Sequence, residues 1–161
     1  MIDRRTLFFG ATALAVGSRS SGRAMAHGYK LGSLEIGHPW SRATPAGAPT
    51  AGAYLKITNN GTTADRLTAA KSPAADKVEI HEMKMEGSIM RMRELERGLE
   101  IPAGATGTLE PGSFHLMFIG LKARFEQGTL VPVTLVFDKA GSIDVELSIA
   151  PMGATPGHKS H

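Results

Sequence analysis

Histidine and methionine side chains are concentrated in one part of this sequence. Of the eight methionines among 161 residues, five fall between Met83 and Met117, and His81 and His115 lie in the same region. Imidazole nitrogen and thioether sulfur suit Cu(I), a soft ion that accepts few ligands, whereas Mg²⁺, Ca²⁺ and Mn²⁺ prefer oxygen. Zn²⁺ prefers thiolate and carboxylate to thioether. The residue types therefore predict a copper(I) site.

His115 and Met117 stand two residues apart in a segment that alternates like a half-buried strand. Side chains on one face of a strand lie about 7 Å apart along it. His115 and Met117 are therefore expected to approach one ion from the same face. The opposite face is apolar, with Phe114, Leu116 and Phe118.

His81 and Met92 lie on two predicted strands that are joined by the hairpin signal Glu86-Gly87. Ile80 and His81 point to opposite faces because successive strand residues alternate, so His81 is expected off the core face. A hairpin places its two arms side by side, which brings Met92 towards His81. The predicted metal ligands are His81, Met92, His115 and Met117.

Three further methionines, Met83, Met85 and Met90, are interpreted as packing or semi-exposed fillers, because methionine commonly fills gaps in apolar cores. Met90 is the alternative to Met92 if the strand register is shifted, and it is kept as a secondary metal candidate. His38, beside Pro39-Trp40, has no suitable partner and is interpreted as structural.

The chain that must position these residues reads as a single all-β domain. Short alternating segments broken by Gly, Pro, Asn and Asp are typical of a β-sandwich or barrel. One helical turn is predicted at residues 73–76, with Ser72 as its cap. Pro132 predicts an edge or bulge within its strand. The predicted strands cover residues 34–36, 53–58, 66–70, 77–85, 88–93, 107–109, 114–121, 130–137 and 142–149.

Residues 1–26 have the features of a cleavable signal peptide. Arg4-Arg5 precedes an apolar run at residues 7–16, and Ala24-Met25-Ala26 matches a cleavage site. The arginine pair favours the twin-arginine route over general secretion, although both remain open. We therefore expect a periplasmic protein without stable membrane insertion after cleavage, with its β-domain at residues 27–150.

The charge and composition of the remaining chain argue against several classes of function. Removing residues 1–26 leaves fourteen Lys and Arg against fourteen Asp and Glu, so no basic surface predicts nucleic-acid binding. There is no cysteine, which excludes disulfides and thiolate ligands. Neither a Ser-His-Asp arrangement nor paired carboxylates tied to a pocket is found, so the protein is not expected to be an enzyme.

The two ends of the exported chain carry additional histidines. Residues 151–161 are rich in Gly, Pro, Lys, Ser and His and predict a flexible tail. Met152, His158 and His161 in this tail either supply ligands for Cu(II), add a second, weaker site, or are incidental. Cleavage after Ala26 leaves His27 at the amino terminus, where the amine and imidazole together suit Cu(II).

The mature sequence resembles the periplasmic copper chaperone family called PCuAC along nearly its whole length. The family's metal motif is a His, ten residues, a Met, twenty-one residues and then His-x-Met. Ten residues separate His81 from Met92, but twenty-two separate Met92 from His115, and we expect the additional residue in the loop at 94–98. Other matching landmarks are Pro39-Trp40-Ser41-Arg42-Ala43, Ala53-Tyr54-Leu55, Val78-Glu79-Ile80-His81-Glu82, Gly87-Ser88-Ile89-Met90-Arg91-Met92, Ile101-Pro102-Ala103-Gly104, Pro111-Gly112 and His115-Leu116-Met117.

The resemblance implies a cupredoxin-like fold of the Greek-key type and a monomeric carrier of Cu(I). It implies delivery to a copper-accepting protein, either a subunit of a haem-copper oxidase such as cytochrome c oxidase or another copper chaperone. Copper buffering for resistance, without a dedicated acceptor, is the alternative. A metal-free interaction module is a further one.

Overall fold

The computed structural model describes residues 28–156, which form strands and turns with no helix. Among these residues there is accordingly no helix of the length and apolarity that crossing a membrane requires. The strands are β1 (Tyr29–Leu31), β2 (Leu34–Arg42), β3 (Thr50–Asn59), β4 (Asp65–Lys71), β5 (Ala75–Glu86), β6 (Ile89–Glu94), β7 (Leu99–Ile101), β8 (Thr106–Leu109), β9 (Phe114–Leu121), β10 (Leu130–Phe137) and β11 (Gly141–Ala150).

Eight of the strands close into a barrel, in the order β5-β9-β8-β3-β2-β11-β10-β4 and back to β5. Closure between β4 and β5 depends on the pair Ala70 and Val78. The edge strand β6 continues from β5 outside the barrel, β7 pairs with β4, and β1 pairs with β2. The all-β prediction is confirmed, and of the sandwich and the barrel the chain forms the barrel.

Alternating apolar residues fill the interior of the barrel. In β11, Val145, Leu147 and Ile149 are buried while Asp144 and Glu146 are exposed, as the sequence predicts. The same alternation in β9 buries Leu116 and Phe118 completely. Full burial of such a side chain stabilises the fold by roughly 1.5–3 kcal/mol. This apolar set on one face of β9 fixes which of its residues lie on the other.

The predicted strands match the observed ones most closely where alternation is longest. β9 and β10 have the predicted bounds, and Pro132 lies in the part of β10 that pairs with β11 but not with β4. The predicted helical turn at residues 73–76 is wrong, because β5 already begins at Ala75. Ser72 does accept a hydrogen bond from the Ala74 amide at 3.1 Å, but this bond closes a turn.

The packed part of the chain extends beyond residue 150, where the sequence places the start of a flexible tail. Ala154 is buried, and its carbonyl accepts a hydrogen bond from the Arg42 guanidinium at 2.7 Å. Met152 beside it is exposed. The predicted signal peptide, His27, His158 and His161 lie outside the described residues.

Candidate metal centre

The strand β5 lies between β6 and β9 and brings the two histidines of the predicted site together. His81 in β5 is the direct cross-strand partner of His115 in β9. The centroids of their rings are 5.6 Å apart, with the ring planes inclined at 58°. The neighbouring pair, Ile80 and Leu116, points into the core. The two imidazoles therefore lie together on the outer face of the barrel wall.

Each imidazole uses one ring nitrogen in a hydrogen bond that orients the ring. Nε2 of His81 lies 2.7 Å from a carboxylate oxygen of Glu79, and Nδ1 of His115 lies 3.3 Å from the carbonyl oxygen of Ser113. Both acceptors require that these nitrogens carry the proton. In the neutral form of each ring, the other nitrogen has a free lone pair; these are Nδ1 of His81 and Nε2 of His115.

These two free nitrogens are buried, and neither has a hydrogen-bond partner among residues 28–156. A buried polar atom without a partner costs about 1–3 kcal/mol, so two of them in one place need an explanation. Imidazoles that bind a metal through one nitrogen usually donate the other N–H to a carboxylate or carbonyl. His81 and His115 show this pattern, with Glu79 and Ser113 as the respective acceptors.

The separation of the two rings fits a single shared ion. With metal–nitrogen bonds of about 2 Å, as for imidazole and zinc, each ring centre lies roughly 3.2 Å from the metal. The observed 5.6 Å between centroids then corresponds to a nitrogen–metal–nitrogen angle of about 120°. Such an angle leaves room for one or two further ligands. The distance between the two rings is therefore compatible with one ion held between them.

The electrostatics of the pair favour neutral imidazole at His115. Burial lowers the pKa of His115, and the nearby His81 acts in the same direction, while the hydrogen bond to Ser113 partly opposes both. The pKa of Glu79 is lowered mainly by its ion pair with Lys77, at 2.5 Å, and further by its hydrogen bond to His81. Glu79 is therefore an ionised acceptor for the N–H of His81.

The two predicted methionine ligands flank the histidine pair on opposite sides. Met117 is one same-face step beyond His115 in β9 and pairs with Glu79. Met92 in β6 pairs with Met83, one same-face step beyond His81 in the other direction along β5. Diagonal neighbours in a sheet lie about 7–8 Å apart, within reach of long side chains. Met92 is 47% exposed, so its side chain has space to change rotamer.

The other candidates are distributed differently. Met90 pairs with Met85, one rung further from His81 than Met92, so the observed register favours Met92 over Met90. His38 is exposed in a bulge of β2 with a positive φ of 50°, away from the histidine pair. Within residues 28–156, no group of three or more His, Cys, Asp and Glu side chains is placed to hold a metal.

An aromatic wall flanks the Met117 side of the pair, and sequence reasoning did not assign it to the site. Gly52 in β3 pairs with Met117, and a Cβ added at Gly52 would lie 2.9 Å from the Tyr54 hydroxyl oxygen. The phenol ring therefore lies across this glycine. Trp40 packs on Tyr54 with ring centroids 4.9 Å apart, and the Arg42 guanidinium is 5.9 Å from both. Ring burial raises the pKa of Tyr54.

Sequence reasoning also missed Glu79 and Ser113 as partners of the histidines. A signal was available for Glu79, since it shares a face with His81 two residues away. No such signal exists for Ser113, because its acceptor is a backbone carbonyl, which every residue type has.

The fold and sequence match several known proteins. A solved copper-bound PCuAC domain from PmoF2 is 26% identical, covers 78% of this chain and 98% of its own, and superposes with a TM-score of 0.66. The apo PCuAC domain from PmoF1 is 31% identical, with coverages of 78% and 99% and a TM-score of 0.67. The solution structure of CuI-DR1885 from Deinococcus radiodurans is 25% identical, with coverages of 81% and 85% and a TM-score of 0.55. These neighbours support the predicted PCuAC resemblance.

At the sequence level, a protein of Leifsonia xyli subsp. xyli (strain CTCB07) named "Putative lipoprotein Lxx21020" is 31% identical over 154 residues, which is 95% of this chain and 90% of the relative. The model of the LpqE-like lipoprotein family matches residues 34–149. That match includes every strand from β2 to β10 and nearly all of β11. The chain therefore belongs to the LpqE-like family.

Proposed function

We propose that this protein binds Cu(I) through His81, Met92, His115 and Met117 and carries it to an acceptor protein. The observation that carries the proposal is the pair of buried, unpartnered nitrogens, Nδ1 of His81 and Nε2 of His115, whose rings lie 5.6 Å apart. Two imidazoles with thioethers on either side form a donor set for a soft ion. The copper-bound structures of two similar proteins support the same choice of metal.

The arrangement suits a carrier better than a catalyst. His81 and His115 are held by hydrogen bonds and nearly buried, so they stay in place as the ion arrives or leaves. Met92 is half exposed on the edge strand β6. An acceptor's own ligand replaces such a thioether first, so release proceeds by ligand exchange and not by unfolding.

The direct test is the Cu(I) affinity of the full chain, measured by competition with a chromophoric Cu(I) chelator such as bicinchoninate. Replacing a ligand, as in His115→Ala or Met117→Leu, is expected to weaken binding roughly a hundredfold, or about 3 kcal/mol. Matched controls are Met152→Leu, an exposed thioether far along the chain, and His38→Asn, since Asn tolerates the positive φ. The proposal fails if all the variants bind Cu(I) as tightly as the parent.

Delivery and buffering make different predictions in cells. We propose delivery, with export to the periplasm and a copper-accepting oxidase subunit or second chaperone as the recipient. A deletion strain should then lose activity of a haem-copper oxidase at low copper and regain it when copper is added. If oxidase activity is unaffected and only tolerance of excess copper falls, the protein buffers the ion.

A further inference from the structure

Four methionines form two adjacent rungs on the hairpin of β5 and β6. Met83 pairs with Met92, and Met85 pairs with Met90. All four share the face that carries His81, because they are separated from it by even numbers of residues along β5 or lie opposite such residues. We call this set of four the methionine ladder.

Packing against the core does not account for the ladder. Met85 is 55% exposed and Met90 is 46% exposed, and β6 is exposed along its whole length. Methionine side chains that act as gap-fillers are surrounded by apolar neighbours. Here the thioethers face outward on an edge hairpin.

Most charged residues of the same hairpin lie on its other face, and the exception on β6 is Glu94, which pairs with His81 one rung beyond Met83 and Met92. Arg91 and Arg93 form ion pairs there with Glu86 and Glu82, at 3.0 Å and 2.7 Å. Neither rung of the ladder itself contains a carboxylate, which a hard cation would need. The donors at the two rungs are thioether sulfurs alone, which select soft ions such as Cu(I) and Ag(I).

The spacing of the rungs allows two sulfurs to share one ion. Directly paired residues in an antiparallel sheet have Cβ atoms about 4.5–5.5 Å apart, and each methionine sulfur lies two bonds further along a flexible side chain. The next rung is about 7 Å away along the strands. Met85 and Met90 can therefore coordinate one ion, with a third sulfur from Met83 or Met92.

We propose that the methionine ladder is a second, weaker site for a soft monovalent ion, and that it feeds the histidine pair. An ion bound by Met85 and Met90 passes to Met83 and Met92, and then to His81 and His115, which add imidazole nitrogen. Each step exchanges one thioether for another ligand, and the copper remains Cu(I) throughout. The inference rests on the proposed function, since Met92 belongs to both sites.

The test is a titration of the full chain, labelled with ¹³C at the methionine methyl groups, with Ag(I) as a diamagnetic probe that resembles Cu(I). The first equivalent should shift the methyl signal of Met117. The second should shift those of Met85 and Met90. A Met85→Leu, Met90→Leu double variant should lose the second equivalent and keep the first, while the control Met152→Leu keeps both. Leucine conserves volume, so the fold is expected to persist.

A kinetic measurement tests the feeding role separately. Transfer of Cu(I) from a chelator to the histidine pair should slow at least threefold in the double variant, with the final affinity for the first equivalent unchanged. The proposal is overturned if the ladder methyl signals stay in place at two equivalents, or if the double variant loads as fast as the parent. Failure of the proposed function looks different, because the signal of Met117 would then not respond to the first equivalent.

Discussion

Replacing Glu79 is expected to weaken copper binding although Glu79 is not itself a ligand. Its carboxylate lies 2.7 Å from Nε2 of His81, and the side chains of the two residues are only 16% and 12% exposed, so water screens this hydrogen bond weakly. The bond holds the proton on Nε2 and fixes the orientation of the ring. Without it, the ring is free to rotate and to place its proton on the nitrogen that the metal needs.

The magnitude follows from the kind of hydrogen bond that is lost. Removing the partner of a metal-bound histidine typically costs 10–100-fold in affinity, so Glu79→Ala should weaken Cu(I) binding by about 1.4–2.7 kcal/mol. Glu79→Gln keeps an oxygen acceptor but loses the charge, and neutral hydrogen bonds are about half as strong. We therefore expect a loss of about three- to tenfold for the glutamine variant.

Chelator competition measures both variants, with Glu94→Gln as the matched control. Glu94 is exposed and pairs with His81 from the other side, and no hydrogen bond joins them. Glu94→Gln removes the same charge from another residue on the face of His81. If Glu94→Gln weakens binding as much as Glu79→Gln, the charge and not the orientation of His81 matters. If Glu79→Ala binds as tightly as the parent, the reasoning is refuted.

Three further predictions concern the barrel and the wall of the site. Asp65 accepts hydrogen bonds from the backbone amides of Arg66, Lys139 and Ala140, so Asp65→Ala should lower the free energy of unfolding in urea by about 2–4 kcal/mol. Burial alone would raise the pKa of Asp65, but these hydrogen bonds lower it overall. The stability that Asp65 contributes is therefore present above the unfolded pKa near 3.8 and is lost as the pH falls through the lower folded pKa. Asp65→Asn should flatten this acid dependence of the free energy of unfolding, and an unchanged pH profile would contradict the assignment. Gly98→Ala should lower the free energy of unfolding in urea by at least about 3 kcal/mol, because the new Cβ would collide with the Leu67 carbonyl oxygen. The control Gly47→Ala has nearly the same positive φ but its Cβ meets no atom, so it should lower the free energy of unfolding by only about 1 kcal/mol. Gly52→Ala should push the Tyr54 ring away and alter tyrosine fluorescence, and identical spectra would place the ring elsewhere.

Local patterns made most strands predictable, and length explains the exceptions. The eight residues of β9 and of β10 alternate long enough to show their bounds. β1 and β7 have three residues each, too few for alternation to be visible. At residues 73–76 the Ser-Pro pair resembles a helix start, but pairing of β5 with β9 begins there and outweighs the local preference.

The sequence predicted one metal site from its ligand types, but it did not show which strand pairing joins the two histidines. His81 and His115 are brought together by the register between β5 and β9, a non-local pairing that no single segment encodes. The hairpin of Met92 was predictable because a turn fixes its register locally. The sequence could not show which ring nitrogens lack a partner, because that depends on the hydrogen bonds to Glu79 and Ser113.

Because His81 and His115 lie on the outside of the barrel wall, the apolar interior is complete without any ion. Zinc fingers need their metal in order to fold, since the ligands stand in for a core. Folding of this barrel is therefore not expected to require the ion. Under the proposed function, the chain folds first and binds copper afterwards. Under the same proposal, release of the ion leaves the barrel folded and able to bind copper again.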